Sequence, residues 1–117
     1  MTPRISEADF QRTVTDALTL YRWRWTHFRP ANTGRGWRTP LSGSPGFPDI
    51  VAVRGKNILF IELKSEKGRI SQEQADWLYE LDADWKWYYE KKMQRGGPVV
   101  ACVWRPSDWD QVMEVLK

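Results

Sequence analysis

Two short apolar runs, Ile50–Val53 and Ile58–Leu63, stand on either side of Gly55-Lys56-Asn57. Runs of this length separated by a glycine-containing turn predict two antiparallel strands, a hairpin. Upstream, apolar residues recur at Phe10, Val14, Ala17, Leu18 and Tyr21, a helical spacing that predicts a helix from Glu7 to about Tyr21. Ser6 is its expected N-cap, with Asp9 three residues on. Trp23 to Phe28 alternates as a short strand does. Pro30 to Pro45 reads as loop, because proline, glycine, serine and threonine dominate it. After a polar turn at Ser65–Arg69, Ser71 and Gln74 form the two ends of a capping box. The helix they open is expected to carry one apolar stripe through Trp77, Leu78, Leu81, Trp85 and Tyr88, and to stop before Gly96-Gly97-Pro98. Val99–Trp104 reads as a buried strand. Ser107 is expected to cap a last helix, Asp108–Leu116. The order predicts an α/β fold, a small mixed sheet flanked by helices.

Polar residues interrupt the hairpin where apolar ones would be expected. Asp49 opens the first strand; Glu62 and Lys64 close the second. Side chains alternate faces along a strand, so Glu62 and Lys64 share one face and Leu63 takes the other. Antiparallel pairing sets the start of one strand beside the end of its partner. Asp49 is thereby brought next to Glu62 and Lys64. Two adjacent carboxylates repel and are costly to bury unless a cation neutralises them. A hard divalent ion with oxygen ligands does so, and a neighbouring ammonium can hold a water or stabilise charge developing on a phosphate. A plain strand-end salt bridge is the competing explanation, and an isolated Glu-x-Lys would favour it. The hairpin geometry, the preceding Gly46-Phe47-Pro48 and the basic flank together favour a site.

Pro48-Asp49, a strand-length gap and Glu62-Leu63-Lys64 resemble the signature of the PD-(D/E)XK nucleases. The wider setting resembles their VRR-NUC branch, the virus-type replication and repair nucleases: Glu7 and Gln11 early, Gly46-Phe47-Pro48-Asp49, Glu62-Leu63-Lys64, then Gly68, Ser71 and Gln74. The resemblance runs from Ser6 to Leu116. It implies a core like that of restriction endonucleases and Holliday-junction resolvases, and a metal-dependent DNA endonuclease. Asp49, Glu62 and the Leu63 carbonyl are then expected to hold Mg²⁺ or Mn²⁺, with Glu7 completing or orienting the shell. Lys64 positions the attacking water or stabilises transition-state oxygens, and Gln74 adds a polar contact near the centre. Branched or four-way junction DNA and a homodimer are likewise expected on the resemblance to stand-alone junction resolvases of phages and mobile elements, not on any residue of this chain.

Composition sharpens the choice of ligand. The formal net charge is only +3, yet residues 1–60 carry nine Lys and Arg against four Asp and Glu, while residues 61–117 carry nine against eleven. Between Asp16 and Asp49 there is no acidic residue, and that stretch holds Arg22, Arg24, Arg29, Arg35 and Arg38. Such a one-sided arginine segment suits a polyanion. Arg29, Asn32, Arg35, Trp37 and Arg38 are the expected nucleic-acid contacts. Of the eight tryptophans, Trp77, Trp85 and Trp104 stand in core-like positions, and Trp37 is the one expected to stack on a base. His27, the only histidine, reads as structural.

The length fits one domain, residues 1–117. A single cysteine, Cys102, in an apolar run reads as a buried thiol. No leader and no apolar run near membrane-spanning length is evident, so a reducing cytoplasmic setting is expected. Two other readings remain open: a non-catalytic nucleic-acid-binding module that keeps the fold, and a structural subunit of a phage or mobile-element replication complex.

Overall fold

The computed structural model describes residues 5–28, 42–95 and 97–117 in full, and the backbone alone of 31–33 and 36–38. Helix α1 spans Glu7–Leu20. Strands β1 (Arg24–His27), β4 (Ile50–Arg54), β5 (Asn57–Leu63) and β6 (Val99–Trp104) form one sheet, and β2 (Ala31–Thr33) pairs with β3 (Gly36–Arg38) in a separate ribbon. Helices α2 (Gln72–Leu81) and α3 (Trp85–Glu90) lie between β5 and β6. A 3₁₀ turn at Pro106–Asp108 leads into α4, Trp109–Leu116.

The main sheet runs β1-β4-β5-β6. The first three strands are antiparallel neighbours, and β5 pairs with β6 in parallel. A parallel pair needs a crossover, and α2 with α3 supplies it. The sheet is therefore mixed and flanked by helices on both faces, as the hydrophobic pattern predicts. Phe10, Val14, Leu18, Val112 and Leu116 of α1 and α4 pack on one face, against Ile50, Ala52, Leu59, Ile61, Leu63 and Trp104. Leu78 and Trp85 of α2 and α3 pack on the other, against Phe60, Ala101 and Val103. Each fully buried side chain of this size contributes roughly 1.5–3 kcal/mol of transfer free energy.

The expected N-cap of α1 is present: Ser6 Oγ accepts from the Asp9 amide at 3.0 Å. The capping box of α2 is complete, Ser71 Oγ taking the Gln74 N–H at 3.1 Å while Gln74 Oε1 takes the Ser71 N–H at 2.9 Å. Cys102 is buried, and burial raises its thiol well above the ordinary range.

Three local expectations are corrected. The apolar stripe from Trp77 to Tyr88 is two helices, not one. Asp82 leaves helical geometry, with φ −157° and ψ 100°. Its carboxylate pairs with Arg95, accepts from the Ala101 amide at 3.2 Å and accepts from the Asp84 amide at 3.1 Å. Tying that carboxylate to β6 outcompetes continuing the helix. The last helix has no side-chain cap, from Ser107 or any other residue, and α4 starts one residue later than expected. Its N-cap residue, Asp108, accepts from the Arg105 amide at 2.9 Å through Oδ2 and so closes the preceding 3₁₀ turn. The stretch read as loop from Pro30 to Pro45 contains the β2–β3 ribbon, with Thr33 opposite Gly36. A two-residue separation is a hairpin signal, masked in the sequence by the surrounding proline, glycine and serine.

At the far end of β4, Arg54 gathers chain ends. Its guanidinium donates to the carbonyls of Tyr21 (2.9 Å), Leu116 (2.8 Å) and Lys117 (3.1 Å), and it lies 4.3 Å over the Trp23 ring. The Leu116 carbonyl also accepts from the Trp23 indole N–H at 3.0 Å, so these two side chains together satisfy the C-terminus of α4. No helix among the described residues is long and apolar enough to cross a membrane.

Candidate active site

The β4–β5 register pairs Ile50 with Ile61, so one step further along each strand Asp49 meets Glu62. Asp49 Oδ2 accepts the Leu63 N–H at 2.9 Å. This bond joins the two strands beyond their last ladder pair and fixes the Asp49 carboxylate against β5. Glu62 is 2% exposed, the one buried carboxylate in this part of the sheet. Its Oε2 accepts from Gln74 Nε2 at 3.1 Å and lies 3.8 Å from Lys64 Nζ. Its Oε1 is buried and has no donor among the described residues. Glu62 and Lys64 thus share the α2 face of the sheet, while Leu63 is buried against α1 on the other.

The electrostatics of Glu62 follow from this placement. Burial, above all, pushes its carboxyl from the usual 4.5 up to about 9, and the neighbouring Asp49 carboxylate adds to the rise. The Lys64 ammonium acts against it, and the Glu7 carboxylate adds a smaller upward push. A protonated Glu62 can donate towards Asp49, whereas an ionised one faces a like charge. Once ionised, a buried carboxylate with no donor to one oxygen, beside a second carboxylate, is a centre short of positive charge.

Loop residues 42–48 carry Asp49 into position through packing against α2. Gly46 adopts φ +98°, and a Cβ there would come within 2.6 Å of the Glu73 main-chain carbon. Only glycine fits both the left-handed backbone and the close approach. Phe47 stands edge-on to Phe28, Phe60 and Trp77, with ring centroids 5.5, 6.0 and 5.0 Å away. Trp77 Nε1 donates to the Ser44 carbonyl at 3.3 Å, and Pro48 is fully buried. Gly46-Phe47-Pro48 is therefore a docking segment whose outcome is the place of Asp49.

The VRR-NUC domain model matches residues 35–103, more than half of the chain, and within it lie Asp49, Glu62, Leu63, Lys64 and Gln74. The chain belongs to the VRR-NUC family. It is a nuclease family, so nuclease activity and DNA binding are the general function this membership carries. No curated protein and no solved structure matches the chain.

Relative to the family pattern, the structure brings Asp49, Glu62, Lys64 and Gln74 together. Glu7 sits exposed in the first turn of α1, near enough for its charge to act on Glu62 but outside the VRR-NUC match. Gln11, one turn along, contacts His27 Nδ1 at 3.2 Å. Arg29 and Arg35 lie outside the described residues, as do the side chains of Asn32, Trp37 and Arg38 on β2 and β3. Trp85 and Trp104 are buried, as expected, and Trp77 is half-buried beside Phe47.

A divalent cation fits this donor set. The available groups are hard oxygens: two carboxylates, one with an orphaned atom, and main-chain carbonyls. Among the described residues no three His, Cys, Asp or Glu side chains converge into a cage. One or two carboxylates with water completing the sphere is the habit of Mg²⁺, so a pair suffices.

One other concavity is prominent. A cleft of about 310 Å³ lies on the outer side of α2, lined by Ser44, Pro45, Glu73, Asp76, Trp77 and Glu80. Its three carboxylates repel phosphate, and it contains none of Asp49, Glu62 or Lys64. The chemistry lies at the end of the β4–β5 hairpin instead. Sequence reasoning missed Arg105, which donates to the Ser65 carbonyl at 2.6 Å beside this centre. Its only signal was a lone cation immediately after a buried strand.

Proposed function

We propose that this VRR-NUC domain is a metal-dependent DNA endonuclease that hydrolyses phosphodiester bonds at the Asp49–Glu62–Lys64 centre. The observation that carries the reading is Glu62: buried, beside a second carboxylate, within 3.8 Å of an ammonium, and with no donor to Oε1 among the described residues. Once ionised beside Asp49, that oxygen is left for a cation or a proton to satisfy.

Asp49, Glu62 and the Leu63 carbonyl would hold Mg²⁺ or Mn²⁺, with Glu7 reaching the shell from α1. When bound, such a cation supplies Lewis acidity at the scissile phosphate and acidifies water for attack. The chain's own groups do the rest. Gln74 holds Glu62 Oε2 at 3.1 Å and so fixes the carboxylate's orientation, with Oε1 buried. Asp49 is locked by the Leu63 amide, so its remaining oxygen keeps one direction. Lys64 stands beside Glu62, where its ammonium can orient the attacking water or stabilise negative charge on the phosphate oxygens. Arg29, Asn32, Arg35, Trp37 and Arg38 would grip the nucleic-acid backbone, supported by the arginine-rich, acid-free stretch in which they occur. Branched DNA and a homodimer are part of the proposal on the resemblance to stand-alone junction resolvases, where two sites address symmetric strands.

The test uses labelled four-way junction, matched duplex and single strand with Mn²⁺, Mg²⁺ or EDTA, comparing wild type with Asp49→Asn and Lys64→Ala. Metal-dependent, symmetric junction cuts absent from both variants support the full reading. Cuts in every substrate keep the nuclease and remove the junction preference. Binding without cleavage under any metal leaves a nucleic-acid-binding module.

A further inference from the structure

Lys64 is the first residue beyond β5, yet its backbone is held. The Lys64 N–H donates to the Trp104 carbonyl at 3.0 Å, the bond that closes the last pair of the β5–β6 ladder. The following carbonyl, that of Ser65, accepts twice: from the Gly68 amide at 3.2 Å and from Arg105 Nη1 at 2.6 Å. The first bond closes the turn at residues 65–68. The second ties that turn to the residue after β6.

The turn folds back over the Lys64 stem. A Cβ at Gly68 would lie 3.5 Å from Lys64 Cδ and 3.1 Å from Ser65 Oγ. The Lys64 side chain is accordingly only 15% exposed. Arg105 is in turn held from every side. Its Nε and Nη2 donate to the Tyr89 hydroxyl at 3.1 and 2.9 Å, its Nη1 also reaches the Glu66 carbonyl at 3.4 Å, and its own amide is held by Asp108. A planar guanidinium with five donors can bridge a carbonyl pair and a phenol at once; an ammonium cannot.

We propose that Arg105 is a positioning residue for Lys64, clamping the 65–68 turn so that the Lys64 stem is covered and its ammonium is held beside Glu62. The catalytic consequence rests on the nuclease reading above; the positioning itself does not. Arg105 touches none of Asp49, Glu62 or Gln74, so its effect must pass through the turn.

Two measurements test this. The first needs no activity. Lys64 acetylation by an N-hydroxysuccinimide ester is followed by peptide mass spectrometry, with the exposed Lys86 as internal reference. Arg105→Gln is expected to speed Lys64 labelling several-fold while Lys86 is unchanged, and Tyr89→Phe, which removes only the hydroxyl, to give a smaller rise in the same direction. Tyr89→Phe keeps the test decisive if Arg105→Gln fails to fold. The second is the rate of DNA cleavage with Mn²⁺. Arg105→Gln is expected to lower kcat by about 10- to 100-fold with little change in KM and to be poorly rescued by Arg105→Lys. Unchanged Lys64 labelling in both variants overturns the proposal. So does full rescue of kcat by Arg105→Lys, since an ammonium cannot bridge the two carbonyls and the Tyr89 hydroxyl at once. If the wild type cleaves nothing, the nuclease reading falls, and labelling alone decides whether Arg105 holds Lys64.

Discussion

Gln74 Nε2 donates to Glu62 Oε2 at 3.1 Å while Gln74 Oε1 accepts the Ser71 N–H at 2.9 Å. One side chain thus closes the N-terminus of α2 and orients the buried carboxylate of β5. The start of the helix thereby fixes the donor that Glu62 meets, and that donor's place is fixed by the cap. A role in the box and a role at the site are not alternatives for Gln74.

Gln74→Ala is therefore expected to destabilise the protein by about 1–3 kcal/mol, from one lost cap bond and one lost bond to a buried carboxylate. It should also reduce cleavage in the fraction that remains folded. Gln74→Glu keeps the acceptor but sets a third carboxylate against Glu62, and is expected to be the worse of the two at pH 8. Urea denaturation at fixed pH checks both.

Stability of the metal-free protein should fall as pH rises. The folded Glu62 pKa, about 9, lies above the unfolded value of 4.5. Between those values the folded state keeps a proton that the unfolded state has released. Raising pH therefore favours unfolding across that window. The contribution is fully present below pH 4.5 and lost as pH passes 9. Glu62→Gln removes it, so the difference in unfolding free energy between variant and wild type should grow in the variant's favour from pH 5 to pH 8.5. A difference that stays constant across this range would show that burial of Glu62 is not coupled to its proton.

Mn²⁺ should act in the opposite sense. Binding to the ionised pair competes with the Glu62 proton, so added Mn²⁺ is expected to raise the melting temperature more at pH 8 than at pH 5. Asp49→Asn should abolish the shift. Differential scanning fluorimetry in matched ionic strength reads both.

Gly46→Ala should cost more than about 2 kcal/mol, because the new Cβ meets the Glu73 backbone and the φ of +98° is unfavourable for alanine. Gly43→Ala, at φ +103° but with open space around it, should cost only the backbone strain, about 1 kcal/mol. The difference between the two measures the close approach of the loop to α2, and cleavage should suffer only in Gly46→Ala.

Arg54→Ala should separate stability from function. It loses three carbonyl contacts and a cation–π contact with Trp23, while the Leu116 carbonyl keeps the Trp23 indole N–H, and a cost of about 1–3 kcal/mol is expected. Arg54 lies at the opposite end of β4 from Asp49, so cleavage per folded molecule should be unchanged at a temperature where the variant is fully folded.

Much of the candidate site could be read from the chain because it lies in continuous segments with strict periods. Strand alternation set Glu62 and Lys64 on one face, and antiparallel pairing of two adjacent strands set Asp49 beside them. Ser71 and Gln74 were legible because a capping box spans only three residues. Each of these relations is local, and local relations depend on bond geometry that every sequence shares.

The remaining features depend on contacts between distant segments. The break at Asp82 requires β6 to be alongside, with the Ala101 amide and Arg95 competing for its carboxylate. The burial that raises Glu62 and the orphaned Oε1 exist only once α2 covers the sheet. Arg105 is 40 residues from Ser65 in the chain, and no periodicity relates them. By itself the sequence determined the hairpin, the caps, the order of elements and the residue types at the centre, because propensity and alternation act over a few residues. Only the tertiary structure decided which carboxylate is desolvated, which oxygen is left without a partner and what holds Lys64 in place, because desolvation and clamping arise from surfaces that meet after folding.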